Sequence, residues 1–186
     1  MTHVRFTTQL GTFDVQLEGE RAPITVRNFV RYVEDGAYDG AAFSRVVSPK
    51  TSGNGLLPGL EELDSAILPN GDVPISVVQG DARTGARIGA PIALETTAET
   101  GLSHLDGTLS MGRLEPDSAT TEFFLCLGDQ PALDFGGQRN PDGQGFAAFG
   151  RVSAGMDVVR AIHASPAAGQ SLDPVIGILS VRVLAA

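Results

Sequence analysis

The sequence predicts a mainly β fold, an antiparallel barrel or sandwich, because short strand-like segments dominate it and only two segments have helical periodicity. The pattern starts at the N-terminus, where apolar residues alternate with polar ones on both sides of "QLGT": Val4 and Phe6, then Phe13, Val15 and Leu17. A glycine-containing turn between two alternating runs is typical of paired strands. Segments rich in Gly, Pro, Asn and Asp separate the later strands in the same way.

Two segments predict α-helices. In "APITVRNFVRYVEDG", Pro23 suits the first turn and Gly36 suits the end of a helix. Apolar residues recur there at i, i+3, i+4 and i+7: Val26, Phe29, Val30 and Val33. In "AGMDVVRAIHAS", Met156, Val159 and Ile162 share one side of a shorter helix.

The other candidate strands are "AAFSRVV", "ISVVQG", "GTLSMG", "TEFFLCLG", "FAAFGRV" and "VIGILSVRVL". Two segments, 48–74 and 134–145, predict long loops, which are usually functional or mobile. The 186 residues suit one domain with a proper core, and 42% hydrophobic content with 19% charge is typical of a globular protein.

The net charge of −9 argues against nucleic acid as a partner, because an acidic surface repels phosphate. No run approaches the roughly 20 apolar residues of a membrane span, and the N-terminus lacks the apolar core of a signal peptide. We therefore expect a cytoplasmic monomer without a membrane or nucleic-acid partner. A periplasmic protein whose leader was removed before residue 1 would have the same sequence. The single Cys126 leaves the redox compartment open.

Searches for metal, nucleophilic and phosphate-binding motifs find none. His3, His104 and His163 are far apart, and none has a further ligand at metal-binding spacing. Ser110 in "TLSMG" lacks the nucleophile-elbow pattern, and Cys126 within "FFLCL" is typical of a small buried residue. We therefore expect neither a metal nor a cofactor.

Two polar residues on apolar strands remain, Arg45 in "FSRVV" and Gln79 in "VVQGD". Strict alternation would place Arg45 on the same face as Phe43 and Val47. An unpaired buried charge is expensive, and arginine cannot lose its proton to avoid burial. Arg45 therefore predicts either a structural ion pair or a functional group, and Gln79 either a core amide or a ligand-binding one.

Five segments, in this order, resemble the cyclophilin-type peptidyl-prolyl cis–trans isomerases over nearly the whole chain: "LGTFDVQLEGERAPITVRNFVRYVEDGAYDGAAFSRVV", "VVQGD", "GTLSMGR", "TEFFLCLGDQPALD" and "FAAFGRVSAGMDVV". The sequence is most similar to the bacterial branch, with a longer insert between the strands of Arg45 and Gln79. The resemblance implies an eight-stranded antiparallel β-barrel capped by two α-helices. It also implies a single domain over residues 1–186, with 48–74 as the inserted loop.

The resemblance implies that Arg45 is the catalytic arginine, that Gln79 holds the substrate carbonyl and that Phe124 forms the floor of a proline pocket. Alternation in "TEFFLCLG" places Phe124 on the opposite face from Phe123, so one of the two must leave the main core. Packing of Phe124 within a core is the alternative. The other implied substrate-binding positions are Leu133 as an apolar pocket wall, Val77, Phe146, and Met111 and Gly112, whose strand carries the backbone contacts to the peptide.

The sequence departs from the family pattern around this pocket. Ser44 stands where His is frequent, and the Phe-Met pair before the glutamine becomes Ser76 and Val77. Ala132 replaces a tryptophan, and Glu122 replaces an amide residue. The pocket thus keeps its polar groups and loses apolar area, so we expect modest isomerase activity and weak cyclosporin binding.

The function that the resemblance implies is isomerisation of X–Pro bonds in peptides and folding proteins, without a covalent step, cofactor or metal. Proline-containing peptides and proteins would be the partners. One alternative is a proline-peptide binding module or chaperone with low residual activity. Another is a scaffold in which "GLEELDSAIL", within the insert, forms an amphipathic helix that docks a partner.

Overall fold

The chain folds as a closed antiparallel β-barrel in a computed structural model that describes residues 1–49, 51 and 73–185. Most of the predicted insert 48–74, including the predicted helix in "GLEELDSAIL", lies outside the described residues. The strands are β1 (Thr2–Thr8), β2 (Gly11–Leu17), β3 (Ala41–Val47), β4 (Val77–Asp81), β5 (Thr108–Met111), β6 (Phe123–Cys126), β7 (Ala148–Ala154), β8 (Ala167–Ala168) and β9 (Ser171–Val183).

Eight strands form the ring in the order β1-β2-β7-β5-β6-β4-β3-β9, and pairing of β1 with β9 closes it. Every ladder is antiparallel, and the two-residue β8 pairs with the start of β9 outside the ring. Closure satisfies the backbone groups that an open sheet edge would expose. The predicted eight-stranded antiparallel barrel is confirmed.

Three α-helices accompany the barrel in the described part of the chain: α1 (Pro23–Glu34), α2 (Thr97–Thr100) and α3 (Met156–His163). The helices α1 and α3 were predicted from periodicity, whereas the four-residue α2 is too short to show any. A capping box defines α2, because Thr96 and Glu99 each accept a hydrogen bond from the other's backbone N–H. Within the described residues, the helices are all too short or too polar to span a bilayer.

The buried apolar side chains form two separate clusters. The larger fills the barrel, where the rings of Phe6, Phe13, Phe29, Phe43 and Phe123 contact one another with centroids 4.7–6.3 Å apart. The smaller, which we call the pocket cluster, contains Val47, Ile75, Val77, Phe124, Cys126 and Leu133. Each large side chain in either cluster contributes about 1.5–3 kcal/mol of hydrophobic stabilisation.

A β-bulge in β3 corrects the expectation that Arg45 shares a face with Phe43. The register shifts between these two residues in the ladders with both β4 and β9. An extra residue at a bulge reverses the alternation that follows it. Phe43 and Val46 therefore both point into the barrel, whereas Arg45 and Val47 lie on the other side with the pocket cluster.

Candidate functional site

The pocket cluster forms one side of a groove of about 200 Å³. This volume is smaller than the roughly 300–1,000 Å³ of sites for drug-sized ligands, and it suits one small side chain. One part of the groove is apolar and the other is polar. The lining residues are Arg45, Ile75, Val77, Gln79, Gly112, Arg113, Leu114, Glu122, Phe124, Leu133, Arg139 and Phe146.

Two glutamines hold the Arg45 guanidinium through neutral oxygens. Its Nη1 donates to Gln79 Oε1 at 2.8 Å, and its Nε and Nη2 donate to Gln170 Oε1 at 2.9 and 2.6 Å. Gln170, which precedes β9, donates in turn to the Thr51 carbonyl at 2.6 Å. Of the five N–H donors of a guanidinium, three make these bonds within the described residues. The others can serve a ligand.

Burial lowers the pKa of Arg45, while the nearby charge of Glu122 raises it. The group stays charged, because an arginine pKa lies far above physiological pH. The described side chains that hydrogen-bond to Arg45 carry no charge, so in this part of the chain amide oxygens hold Arg45 rather than a salt bridge. Partial burial strengthens the electrostatic effect of this cation on a ligand in the groove.

The apolar floor is Phe124, and a histidine behind it fixes its position. The rings of His104 and Phe124 stack with centroids 5.9 Å apart, and Phe146 meets Phe124 edge-on at 5.3 Å. His104 Nδ1 donates to Asp134 at 2.7 Å, and its Nε2 lies 2.9 Å from the hydroxyl of Ser110. Both ring nitrogens are therefore satisfied.

No local pattern predicts this support, because His104 lies in a loop 20 positions before Phe124 and only the fold brings the two rings together. Ser110 is fully buried behind the floor, so its hydroxyl cannot serve as a nucleophile toward a ligand in the groove. Burial likewise raises the pKa of the Cys126 thiol, which is fully enclosed in the pocket cluster. Neither residue offers covalent chemistry.

Arg113 and Arg139 also line the groove, and the sequence analysis identified neither. Arg113 makes two hydrogen bonds to Asp142, at 2.8 and 2.9 Å, and its guanidinium lies 5.3 Å from the ring centroid of Phe146. Arg139 donates to the Val73 carbonyl at 2.9 Å. Both side chains approach the groove from chain segments outside the predicted strands, where alternation gives no signal.

The structure brings seven of the eight predicted site residues to this one groove: Arg45, Gln79, Val77, Gly112, Phe124, Leu133 and Phe146. Met111 is the exception, because its side chain lies in the barrel interior and its N–H bonds to the carbonyl of Ala147. The Met111 side chain therefore makes no contact with a ligand in the groove, and the implied contact through its backbone stays a prediction.

Three of the sequence departures face away from the groove or only border it. The hydroxyl of Ser76 lies 3.2 Å from His163 Nε2, on the side of α3, and Ser44 is exposed. Ala132 packs against the pocket cluster without lining the groove. The apolar wall that the family resemblance implies near positions 76 and 132 is therefore reduced, because none of these three side chains lines the groove.

Comparison with known families identifies the chain. Residues 3–183 match the family described as cyclophilin type peptidyl-prolyl cis-trans isomerase/CLD. The chain is 36% identical over 158 residues to peptidyl-prolyl cis-trans isomerase A of Dickeya dadantii, which covers 84% of this chain and 68% of that protein. It is 34% identical over 164 residues to a peptidyl-prolyl cis-trans isomerase of Streptomyces antibioticus, covering 87% and 83%.

A solved structure shares the barrel. The cyclophilin type peptidyl-prolyl cis-trans isomerase of Cryptosporidium parvum superposes with a TM-score of 0.70 and 18% identity, over 100% of this chain and 98% of that one. The same protein was also crystallised in the presence of the dipeptide Ala-Pro. Since the family match extends over nearly the entire sequence, this chain belongs to the cyclophilin-type peptidyl-prolyl cis–trans isomerase family.

Proposed function

We propose that this chain isomerises X–Pro bonds of peptides and folding proteins in the groove, with Arg45 as its catalytic residue. One observation carries the proposal. The Arg45 guanidinium is held by the neutral oxygens of Gln79 and Gln170 at the edge of an apolar pocket floored by Phe124. A fixed cation beside a small apolar pocket suits a ligand that combines an apolar ring with a neighbouring amide.

The chemistry explains why a cation is useful there. Amide resonance gives the X–Pro bond a rotational barrier of about 18–20 kcal/mol, so uncatalysed isomerisation takes tens of seconds or longer. Twisting the bond breaks the resonance and returns a lone pair to the prolyl nitrogen. A donor held beside that nitrogen interacts more strongly with the twisted state than with either planar state, and this difference lowers the barrier.

The magnitude is limited. A hydrogen bond to a charged group contributes about 1.5–3 kcal/mol, which corresponds to roughly a ten- to hundredfold change in rate. Positioning of the peptide and exclusion of water from the groove supply the rest. In this proposal, Gln79 holds the substrate carbonyl, and the proline ring lies on Phe124 between Leu133 and Phe146.

The test is a protease-coupled isomerase assay on a short X-Pro-Phe peptide. We expect Arg45→Ala to lower kcat/KM about ten- to a hundredfold, with the fold retained in circular dichroism. Replacing the exposed Arg87 by alanine is the matched control, and we expect it to leave the rate unchanged. Equal rates for wild type and Arg45→Ala would reject the catalytic role.

Such a result would favour the second candidate function, a proline-peptide binding module or chaperone with incidental turnover. The reduced wall favours that candidate, because Ser76 turns toward His163 and Ala132 is small. At about 25 cal/mol per Å² of buried apolar area, losing an aromatic wall weakens peptide binding by about 1–2 kcal/mol. Modest turnover follows from weaker binding, even with the polar groups intact.

Cyclosporin binding is a separate prediction. Ala132 stands where the family contacts this inhibitor through a tryptophan, so we expect weak inhibition, with Kd far above the nanomolar range. Titration of the isomerase assay with cyclosporin tests the expectation, and Ala132→Trp should tighten binding. Nanomolar inhibition of the wild type would contradict it. We further propose a cytoplasmic monomer.

A further inference from the structure

We propose that Glu122 is a positioning residue for the reaction, whose carboxylate lies over Gly112 and fixes the orientation of the Gln79 amide. The inference rests on the proposed function, since it assigns Gln79 to the substrate carbonyl. Glu122 directly precedes β6, lines the groove and is half-buried. Gln79 pairs with Phe124 in the ladder between β4 and β6, so its side chain shares the groove face with that of Glu122, two residues before Phe124. Hydrogen bonding with the Gln79 amide lowers the pKa of Glu122, as expected for a carboxylate beside an N–H donor.

Gly112 provides the space for this carboxylate. A Cβ atom at position 112 would lie 2.8 Å from Glu122 Cγ and 2.9 Å from Cδ, and closer still to Oε1. The Gly112 N–H also donates to the Glu122 backbone carbonyl at 2.8 Å, which fixes the two residues side by side. Glycine at position 112 and glutamate at position 122 therefore form a matched pair.

An ionised carboxylate can only accept hydrogen bonds, whereas an amide at the same position could donate or accept. Glu122 therefore directs the Gln79 NH2 group toward itself and leaves Gln79 Oε1 for Arg45, at 2.8 Å. Gln79 retains a second N–H that can donate to a substrate carbonyl. With a neutral residue at position 122, Arg45 would still hold Gln79 Oε1, but the Gln79 NH2 group would lose its charged acceptor and bind a substrate carbonyl in a less fixed direction.

The charged groups near Glu122 determine when it is ionised. Burial and the charge of Asp81, at the end of β4, raise the pKa of Glu122. Hydrogen bonding with the Gln79 side chain and the charge of Arg45, on β3, lower it. Arg113 and Arg139 line the same groove. Because the net direction is upward, the Glu122 carboxylate gains its proton at a higher pH than an ordinary glutamate, and the Gln79 NH2 group then loses its charged acceptor.

The first experiment reads the amide directly. The Gln79 side-chain NH2 resonances are followed by ¹⁵N–¹H NMR as the pH is lowered from 8 to 4, and they are assigned by their absence in Gln79→Ala. We expect them to shift with a midpoint above the pKa of about 4.3 of an exposed glutamate, and we expect Glu122→Gln to abolish this titration. Resonances that do not titrate, or that titrate equally in Glu122→Gln, would overturn the proposal.

The second experiment measures kcat and KM separately. We expect Glu122→Gln to raise KM about three- to tenfold and to change kcat less than twofold. We also expect it to abolish the fall of kcat/KM at low pH that protonation of Glu122 causes in the wild type. Glu115→Gln removes an equal charge from the exposed segment beside the groove and should leave both constants unchanged. Wild-type constants and an unchanged pH profile in Glu122→Gln would overturn the positioning role.

Gly112→Ala tests the pairing without altering charge. The added methyl group displaces the carboxylate, so we expect KM to rise as in Glu122→Gln, and the double variant to be no worse than either single one. Fully additive effects would show that the two residues act independently, against the proposal. An inactive wild type would reject the proposed function, while the NMR titration would still decide whether Glu122 orients Gln79.

Discussion

Two arginines that line the groove, Arg45 and Arg113, are held in different ways. Arg113 is compensated, because its guanidinium makes two bonds to the Asp142 carboxylate and others to the Gly145 carbonyl. Arg45 is bonded to two amide oxygens, from Gln79 and Gln170, which fix its direction without cancelling its charge. Arg113 thus stabilises the local structure, whereas Arg45 keeps a positive charge that acts on a ligand in the groove.

The difference shows how a protein can keep a half-buried cation active. A carboxylate partner offsets much of the desolvation cost of a buried guanidinium. It also neutralises the positive charge, so less of the electric field reaches a ligand. Amide oxygens accept hydrogen bonds from the N–H groups but do not neutralise the positive charge that acts on a ligand. Burial lowers the pKa of Arg45, which is the signature of an incompletely compensated cation.

The largest expected effect on activity is that of Arg45→Lys, compared with the same replacement at Arg113. Lysine keeps the charge but lacks the fork that bridges Gln79 and Gln170, so we expect Arg45→Lys to lower kcat/KM about tenfold or more. Arg113→Lys should change kcat/KM by less than about threefold and lower the free energy of unfolding by about 1 kcal/mol. Isomerase assays and urea unfolding measure the two quantities. Equal losses of activity would remove the distinction between the arginines.

A smaller effect is expected from Gln170→Ala. The Gln170 oxygen accepts from two nitrogens of Arg45, so its loss frees one side of the guanidinium. We expect kcat/KM to fall about three- to tenfold, mainly through kcat, because Arg45 spends less time aimed into the groove. The exposed Gln138→Ala is the matched control. If both variants match the wild type, Gln79 alone suffices to orient Arg45.

The smallest effect concerns pH at Arg113. Hydrogen bonds from Arg113 lower the pKa of Asp142 below its ordinary value. The pair therefore stabilises the fold above the unfolded pKa of about 3.9, and this contribution is lost as the pH falls through the lower folded pKa. Because Asp142 is exposed, we expect Asp142→Asn to lower Tm by only about 1–2 °C at pH 7. The difference should shrink as the pH falls through the folded pKa of Asp142, and a difference that grew on acidification would contradict this assignment.

Much of the fold could be predicted from the sequence because its strands and helices carry strong local signals. The alternation in "TEFFLCLG" correctly separated Phe123, in the barrel, from Phe124, in the pocket cluster. The bulge that turns Arg45 out of the barrel could not be predicted, since its cause lies in pairing with β4 and β9 rather than in the local sequence. Alternation alone would have placed this cation among the phenylalanines.

The site was predicted through family motifs, and two of its unpredicted residues, His104 and Gln170, lie outside those motifs. His104 supports Phe124 from a loop, and Gln170 reaches Arg45 from 125 positions along the chain. Such contacts depend on the closed barrel bringing distant segments together. No periodicity marks them. Glu122 was visible only as a departure from the family, and the space at Gly112 that explains it is visible only in three dimensions.

The bond from Gln170 to the Thr51 carbonyl has a consequence for how this enzyme can diverge. Thr51 lies at the border of the long segment between the third and fourth strands, so changes of sequence or length there alter the anchor of Gln170. That amide in turn aims the guanidinium. Turnover can therefore be adjusted from the periphery, through a main-chain oxygen, while every side chain that touches the peptide stays the same.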